Sequence, residues 1–94
     1  MPFKEINLKD LAKKMDVNLE ELQEKQRLIE KIRELRLKQG LSQADLAESV
    51  GVTQSRIAQI ESGIGTHRIS FDVLFNLLHA LGYGVQVRLR KVAA

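Results

Sequence analysis

Between Thr53 and Gln59 the chain places five hydrogen-bonding side chains within seven residues: Thr53, Gln54, Ser55, Arg56 and Gln59, interrupted only by Ile57 and Ala58. These residue types suit recognition rather than bond making. A glutamine amide can hold an adenine edge at two points, and an arginine can hold guanine or a phosphate. In a helix, Ile57 and Ile60 would form the opposite side, so the polar types share one face. A plain solvated helix surface has the same composition, and the polar run alone does not separate the two.

The surrounding residues supply the missing frame. The stretch QADLAESVGVTQSRIAQIESG, Gln43 to Gly63, has what two short helices crossing steeply require. Ala47 is small where the backbones would approach most closely, and Gly51 lets the chain reverse in a few residues. Val50, Val52, Ile57 and Ile60 are expected to fill the wedge, with Leu46 facing the same centre. This is the mechanical pattern of a helix-turn-helix. In that geometry the first residues of the second helix reach base edges first, which makes Gln54, Ser55, Arg56 and Gln59 candidates for base contact.

Helix boundaries follow from one repeated local grammar. Asn7, Asn18, Ser42, Thr53 and Ser70 each offer a side-chain oxygen suited to capping an orphan backbone N–H. Each is preceded by an apolar residue and followed four later by another: Ile6/Leu11, Val17/Leu22, Leu41/Leu46, Val52/Ile57 and Ile69/Leu74. That is the hydrophobic-staple spacing, and Asp10, Glu21 and Asp45 stand where a capping box puts an acid. The spacing predicts helices over 8–15, 19–38, 43–50, 54–61 and 71–81, with Gly40, Gly51, Gly63 and Gly82 at or just beyond the last four ends. Leu28, Ile29, Ile32 and Leu35 make an apolar stripe on the second helix. Its first half, LEELQEKQ, is expected to be a partly exposed lead-in.

Composition narrows the classes. At 94 residues, 44% hydrophobic and 29% charged, the chain suits one ordinary globular domain. It has no cysteine, which removes disulfides and thiolate chemistry. Aromatics are only 4%, too few for a base-stacking platform. Two histidines far apart, and no nucleophile with an evident base, argue against an enzyme; no metal or cofactor is expected. No signal peptide or membrane-spanning run is visible, so a cytoplasmic location without a membrane partner is expected. Charge is uneven: residues 1–26 carry five basic and six acidic side chains, residues 27–94 ten basic and six acidic. The later segment therefore holds the basic surplus that suits a polyanion.

LSQADLAESVGVTQSRIAQIESG resembles the helix-turn-helix of the Xre/Cro/cI repressor family, matching at Gln43, Ala47, Gly51, Val52, Gln54, Ile57 and the Glu61–Gly63 ending. The resemblance spans roughly residues 28–82. It implies an all-α, lambda-repressor-like domain that binds double-stranded DNA and represses transcription. It implies base reading by Gln54, Ser55 and Gln59, and a Gln43 that braces a phosphate and the recognition glutamine. Arg56 departs from the small or polar residues usual at its position, leaving a base or a phosphate role open. Thr53, together with Thr66, His67 and Arg68 in the loop after the helix over 54–61, suits phosphate contact.

Downstream, RISFDVLFNLLHALGYGVQVRLRK is similar to HigA-like and HipB-like antitoxins of bacterial toxin–antitoxin operons, through Ser70, Leu74, Leu77, Leu78, Leu81 and Gly82. That resemblance implies an autoregulating antitoxin with a cognate toxin, a RelE-like RNase ahead of a HipA-like kinase. A stand-alone prophage-type regulator, binding DNA through the same residues, is the alternative. Within this segment GYGVQVRLRK alternates like a strand, Val85, Val87 and Leu89 on one side and Gln86, Arg88 and Arg90 on the other. Ordering a residue costs about 1–2 kcal/mol, and no second strand candidate exists in the chain. A second copy would supply one, pairing the strands across a homodimer and presenting two recognition helices to a palindromic operator.

The expected layout is thus a five-helix fold with three parts: an N-terminal helical extension (1–26), a DNA-binding domain (27–82) and a C-terminal dimerisation strand and tail (83–94). Phe3, Ile6, Leu8, Leu11 and Met15 would give the extension an apolar face. Two roles fit it: contact with a toxin, or cover for the chain's own core.

Overall fold

The computed structural model describes residues 18–92. Four α-helices form: α1 (Leu19–Lys38), α2 (Gln43–Val50), α3 (Gln54–Glu61) and α4 (Phe71–Ala80), with a 3₁₀ turn at Thr66–Arg68 between the last two. Each α-helix begins at an anticipated cap. Asn18, Ser42, Thr53 and Ser70 are extended, and their side chains accept from the backbone N–H of Glu21, Asp45, Arg56 and Val73. Only Ser42 completes a reciprocal box, in which its own N–H donates to Asp45 Oδ2 at 2.8 Å. Glu21 instead pairs with Lys25 Nζ at 2.8 Å. The expected cap at Asn7 and the helix over 8–15 lie outside the described residues, as do Phe3, Ile6, Leu8, Leu11 and Met15.

The turn between α2 and α3 depends on one left-handed residue. Gly51 has φ 74°, and the Val52 N–H then reaches Ala47 O at 3.0 Å while the Gly51 N–H bonds Glu48 O. This closure uses carbonyls that the end of α2 would otherwise leave orphaned. Gly40 and Gly82 close α1 and α4 with the same pair of bonds.

Each of these four helices contributes to one core. Ile29, Ile32 and Leu35 come from α1, Leu46 and Ala47 from α2, Ile57 and Ile60 from α3, and Leu74, Leu77 and Leu78 from α4, with Ile69 and Leu81 beside them. Ile32, Leu46, Ile57, Ile60 and Leu74 are the largest side chains fully withdrawn from solvent. Burying each stabilises the fold by about 1.5–3 kcal/mol. Leu41 and Val50 are half-buried against the core, but Val52, expected in the wedge, is exposed. Its backbone is committed to closing the turn, which carries its side chain outward.

Two expectations change. The first half of α1 is not merely a lead-in, because Lys25 is buried: its ammonium lies 5.3 Å from the Phe71 ring centre and reaches His67 O at 3.5 Å. Its long stem is what allows a lysine there, covering apolar surface while the charged end stays paired. The C-terminal strand is also not formed: among the described residues there is no β-strand, and Tyr83–Val92 is neither helix nor strand. Val85, Val87 and Leu89 are 38%, 74% and 90% exposed rather than packed on α4. A strand exists only through ladder bonds to a neighbour, and the described residues offer this segment none. Within the described residues no helix is long and apolar enough to cross a membrane.

Candidate nucleic-acid interface

The position of α3 is set from beneath by Glu61, its last residue. Arg36 of α1 donates from Nε to Glu61 Oε2 and from Nη2 to Glu61 Oε1, both at 2.8 Å, and from Nη1 to Leu41 O at 2.8 Å. Both side chains are almost fully buried, at 9% and 4% exposure. Gln43 Nε2 adds a bond to Glu61 Oε1 at 3.3 Å. One carboxylate thus joins α1, the start of α2 and the end of α3. The hydrogen bonds to Glu61 raise the Arg36 pKa further above its ordinary value, so the cation persists at any working pH.

With that end fixed and Ile57 and Ile60 buried, the other side of α3 must face outward. Gln54, Ser55 and Gln59 are exposed there, and Arg56 is half-buried at the margin. The expected base-contacting residues are therefore gathered on a single surface. Thr53 caps the helix, its Oγ1 accepting from the Arg56 N–H at 3.1 Å. Arg56 Nη1 donates to Gln59 Oε1 at 3.1 Å, joining two members of the group. The only acid on α3 is Glu61, already neutralised by Arg36, so this face presents no anion to repel a polyanion.

The following loop is less uniform than its sequence suggests. Gly63 and Gly65 take positive φ, and Ser62 Oγ donates to Gln59 O and accepts from the Ile64 N–H. Thr66, expected at a phosphate, is 2% exposed, and its Oγ1 donates to Gly63 O at 2.6 Å. Its one hydroxyl donor is spent inside the loop, which corrects that expectation. His67 is half-buried, and Arg68 is exposed. Gln43 is half-buried at the start of α2, on Glu61 rather than on Gln54.

Arg36 and Lys25 were not singled out from sequence, yet both organise this surface. A signal for Arg36 was present: it falls on the apolar stripe of Ile29 and Ile32 at helical spacing, and a cation there needs a buried anion. Lys25 stands on the same stripe, four residues before Ile29, and Glu21 is a local partner, but its contacts with His67, 42 residues away, and with Phe71 on α4 are not visible in the sequence.

Comparison with known proteins agrees with this geometry. A helix-turn-helix family model matches residues 32–87, which is more than half the chain. No curated protein and no solved structure matches it. The matched span contains α2, the Gly51 turn, α3 and the loop, together with the Arg36–Glu61 pair beneath them. The chain belongs to the Xre/Cro-type helix-turn-helix family of DNA-binding transcription regulators.

Proposed function

We propose that this chain is a sequence-specific repressor that binds a palindromic operator as a homodimer and acts as the antitoxin of a toxin–antitoxin operon. The observation that carries DNA recognition is the face of α3, where Gln54, Ser55, Arg56 and Gln59 stand outward over a buried Ile57 and Ile60. In this reading α3 enters the major groove, and Thr53, Gln43, His67 and Arg68 lie toward the phosphates. The test is Gln54→Ala on a duplex selected by the wild-type chain. Losing a two-point contact to a base weakens binding by about 1–3 kcal/mol; unchanged affinity would refute base reading by this helix.

The homodimer is supported by the exposed apolar side chains of Val85, Val87 and Leu89, which alternate along a segment whose backbone forms no ladder among the described residues. Antiparallel pairing of two such segments would satisfy both. Light scattering on a chain truncated after Gly82 decides it, since an undiminished dimer rules strand pairing out. The antitoxin role is supported by the similarity of residues 68–91 to HigA-like and HipB-like chains. A RelE-like RNase is the proposed toxin, and pull-down by chains with and without residues 1–26 tests whether the N-terminal segment holds it. Absence of a toxin frame beside the gene would leave a stand-alone regulator.

A further inference from the structure

The first turn of α3 departs from the pattern of α1 and α2. The third residue is acidic in α1 (Glu21) and α2 (Asp45), where a negative charge meets the positive end of the helix dipole. In α3 the same position is Arg56, a cation at the unfavourable end. No carboxylate among the described residues lies within ion-pair distance to compensate it. A local choice that opposes helix stability is what a functional site is expected to show.

The bond to Gln59 indicates that purpose. A guanidinium has only donors, so the Gln59 amide must turn its oxygen toward Arg56, as the 3.1 Å contact to Oε1 has it. This spends one of five guanidinium N–H groups and restrains a side chain that would otherwise sample many rotamers. The remaining donors suffice for the two-bond fork on guanine O6 and N7. Gln59, with its oxygen directed at Arg56, is oriented away from the paired acceptor and donor that adenine requires.

Resting on the DNA-recognition reading above, we infer that Arg56 reads a guanine in each half-site and that Gln59 is a positioning residue for Arg56, not a base reader. Adenine recognition then falls to Gln54, which is exposed at the first position of α3.

Selection from a randomised duplex library, with the full-length chain and four variants, tests this. The wild-type chain is expected to enrich a guanine at one position per half-site. Arg56→Ala loses that preference and binds the wild-type site about ten- to a hundredfold more weakly. Arg56→Lys also loses it, because an ammonium keeps the charge but not the fork. Gln59→Ala blurs the same position and no other. Gln59→Glu retains the acceptor and so retains guanine, whatever its added charge does to overall affinity. If Arg56→Ala weakens all sequences alike and keeps the guanine, Arg56 is a phosphate contact and the inference falls. It falls equally if Gln59→Ala erases a preference at a position of its own. A wild-type chain that enriches no sequence overturns the DNA-recognition reading itself, and this inference with it.

Discussion

Arg36 and Glu61, 25 residues apart, meet through two 2.8 Å hydrogen bonds beneath the outward face of α3. The pair holds that face at a fixed tilt relative to α1, because both bonds run to one carboxylate and together restrict rotation as well as distance. Breaking a buried pair from one side leaves an uncompensated charge. Glu61→Gln is therefore expected to destabilise the fold by about 3–5 kcal/mol, measured by urea denaturation. Replacing both members with apolar residues of similar size should cost much less, and a double-mutant cycle reads the difference.

Gly51→Ala tests the turn. No atom lies within 4 Å of where the new methyl would stand, so the cost is conformational, not steric. Holding an L-residue at the φ of 74° costs about 1–2 kcal/mol. The midpoint of denaturation should fall by that amount with an unchanged denaturant slope. A loss much larger than this would mean that α2 and α3 no longer pack.

Asp45 gives the cap of α2 a pH dependence. The Ser42 backbone N–H, and then its hydroxyl, favour the carboxylate and hold its pKa below the ordinary range. A folded pKa below the unfolded one means that the contribution is complete above an ordinary carboxylate pKa of about 4. It is lost as pH falls through the depressed value. Asp45→Asn should thus be less stable than wild type at neutral pH, with the difference shrinking as both are titrated below about pH 4. Chemical denaturation at a series of pH values reads it, and a gap that widens in acid would refute the assignment.

Lys25 and Phe71 join the first half of α1 to the start of α4, with Nζ 5.3 Å from the ring centre. A desolvated contact of this kind contributes about 2 kcal/mol, and Lys25 Nζ also reaches His67 O in the loop after α3. Lys25→Ala is expected to lower stability by that order and to speed amide exchange at Arg68 and Ile69, whose N–H groups close the 3₁₀ turn on Gly65 and Thr66. Exchange there unchanged from wild type would show that the loop holds itself.

The helix boundaries were legible in the sequence because their causes are local. A cap at Ser42 reaches Asp45, and a left-handed Gly51 closes on Ala47 and Glu48, all within a few residues. The outward face of α3 was legible for the same reason: Ile57 and Ile60 define its inner side by helical period alone.

What tertiary structure decided concerns residues far apart in the chain. Gln39 Nε2 donates to Leu81 O across 42 residues, Arg36 finds Glu61 across 25, and Lys25 finds His67 across 42. Thr66 and Arg68 look equally suited to phosphate in sequence, yet one is buried and the other exposed. Periodicity and capping assign a residue to a helix or a turn, while its partner depends on how the helices cross. That crossing is set by the packing of the whole core, to which every helix contributes and which no single segment encodes.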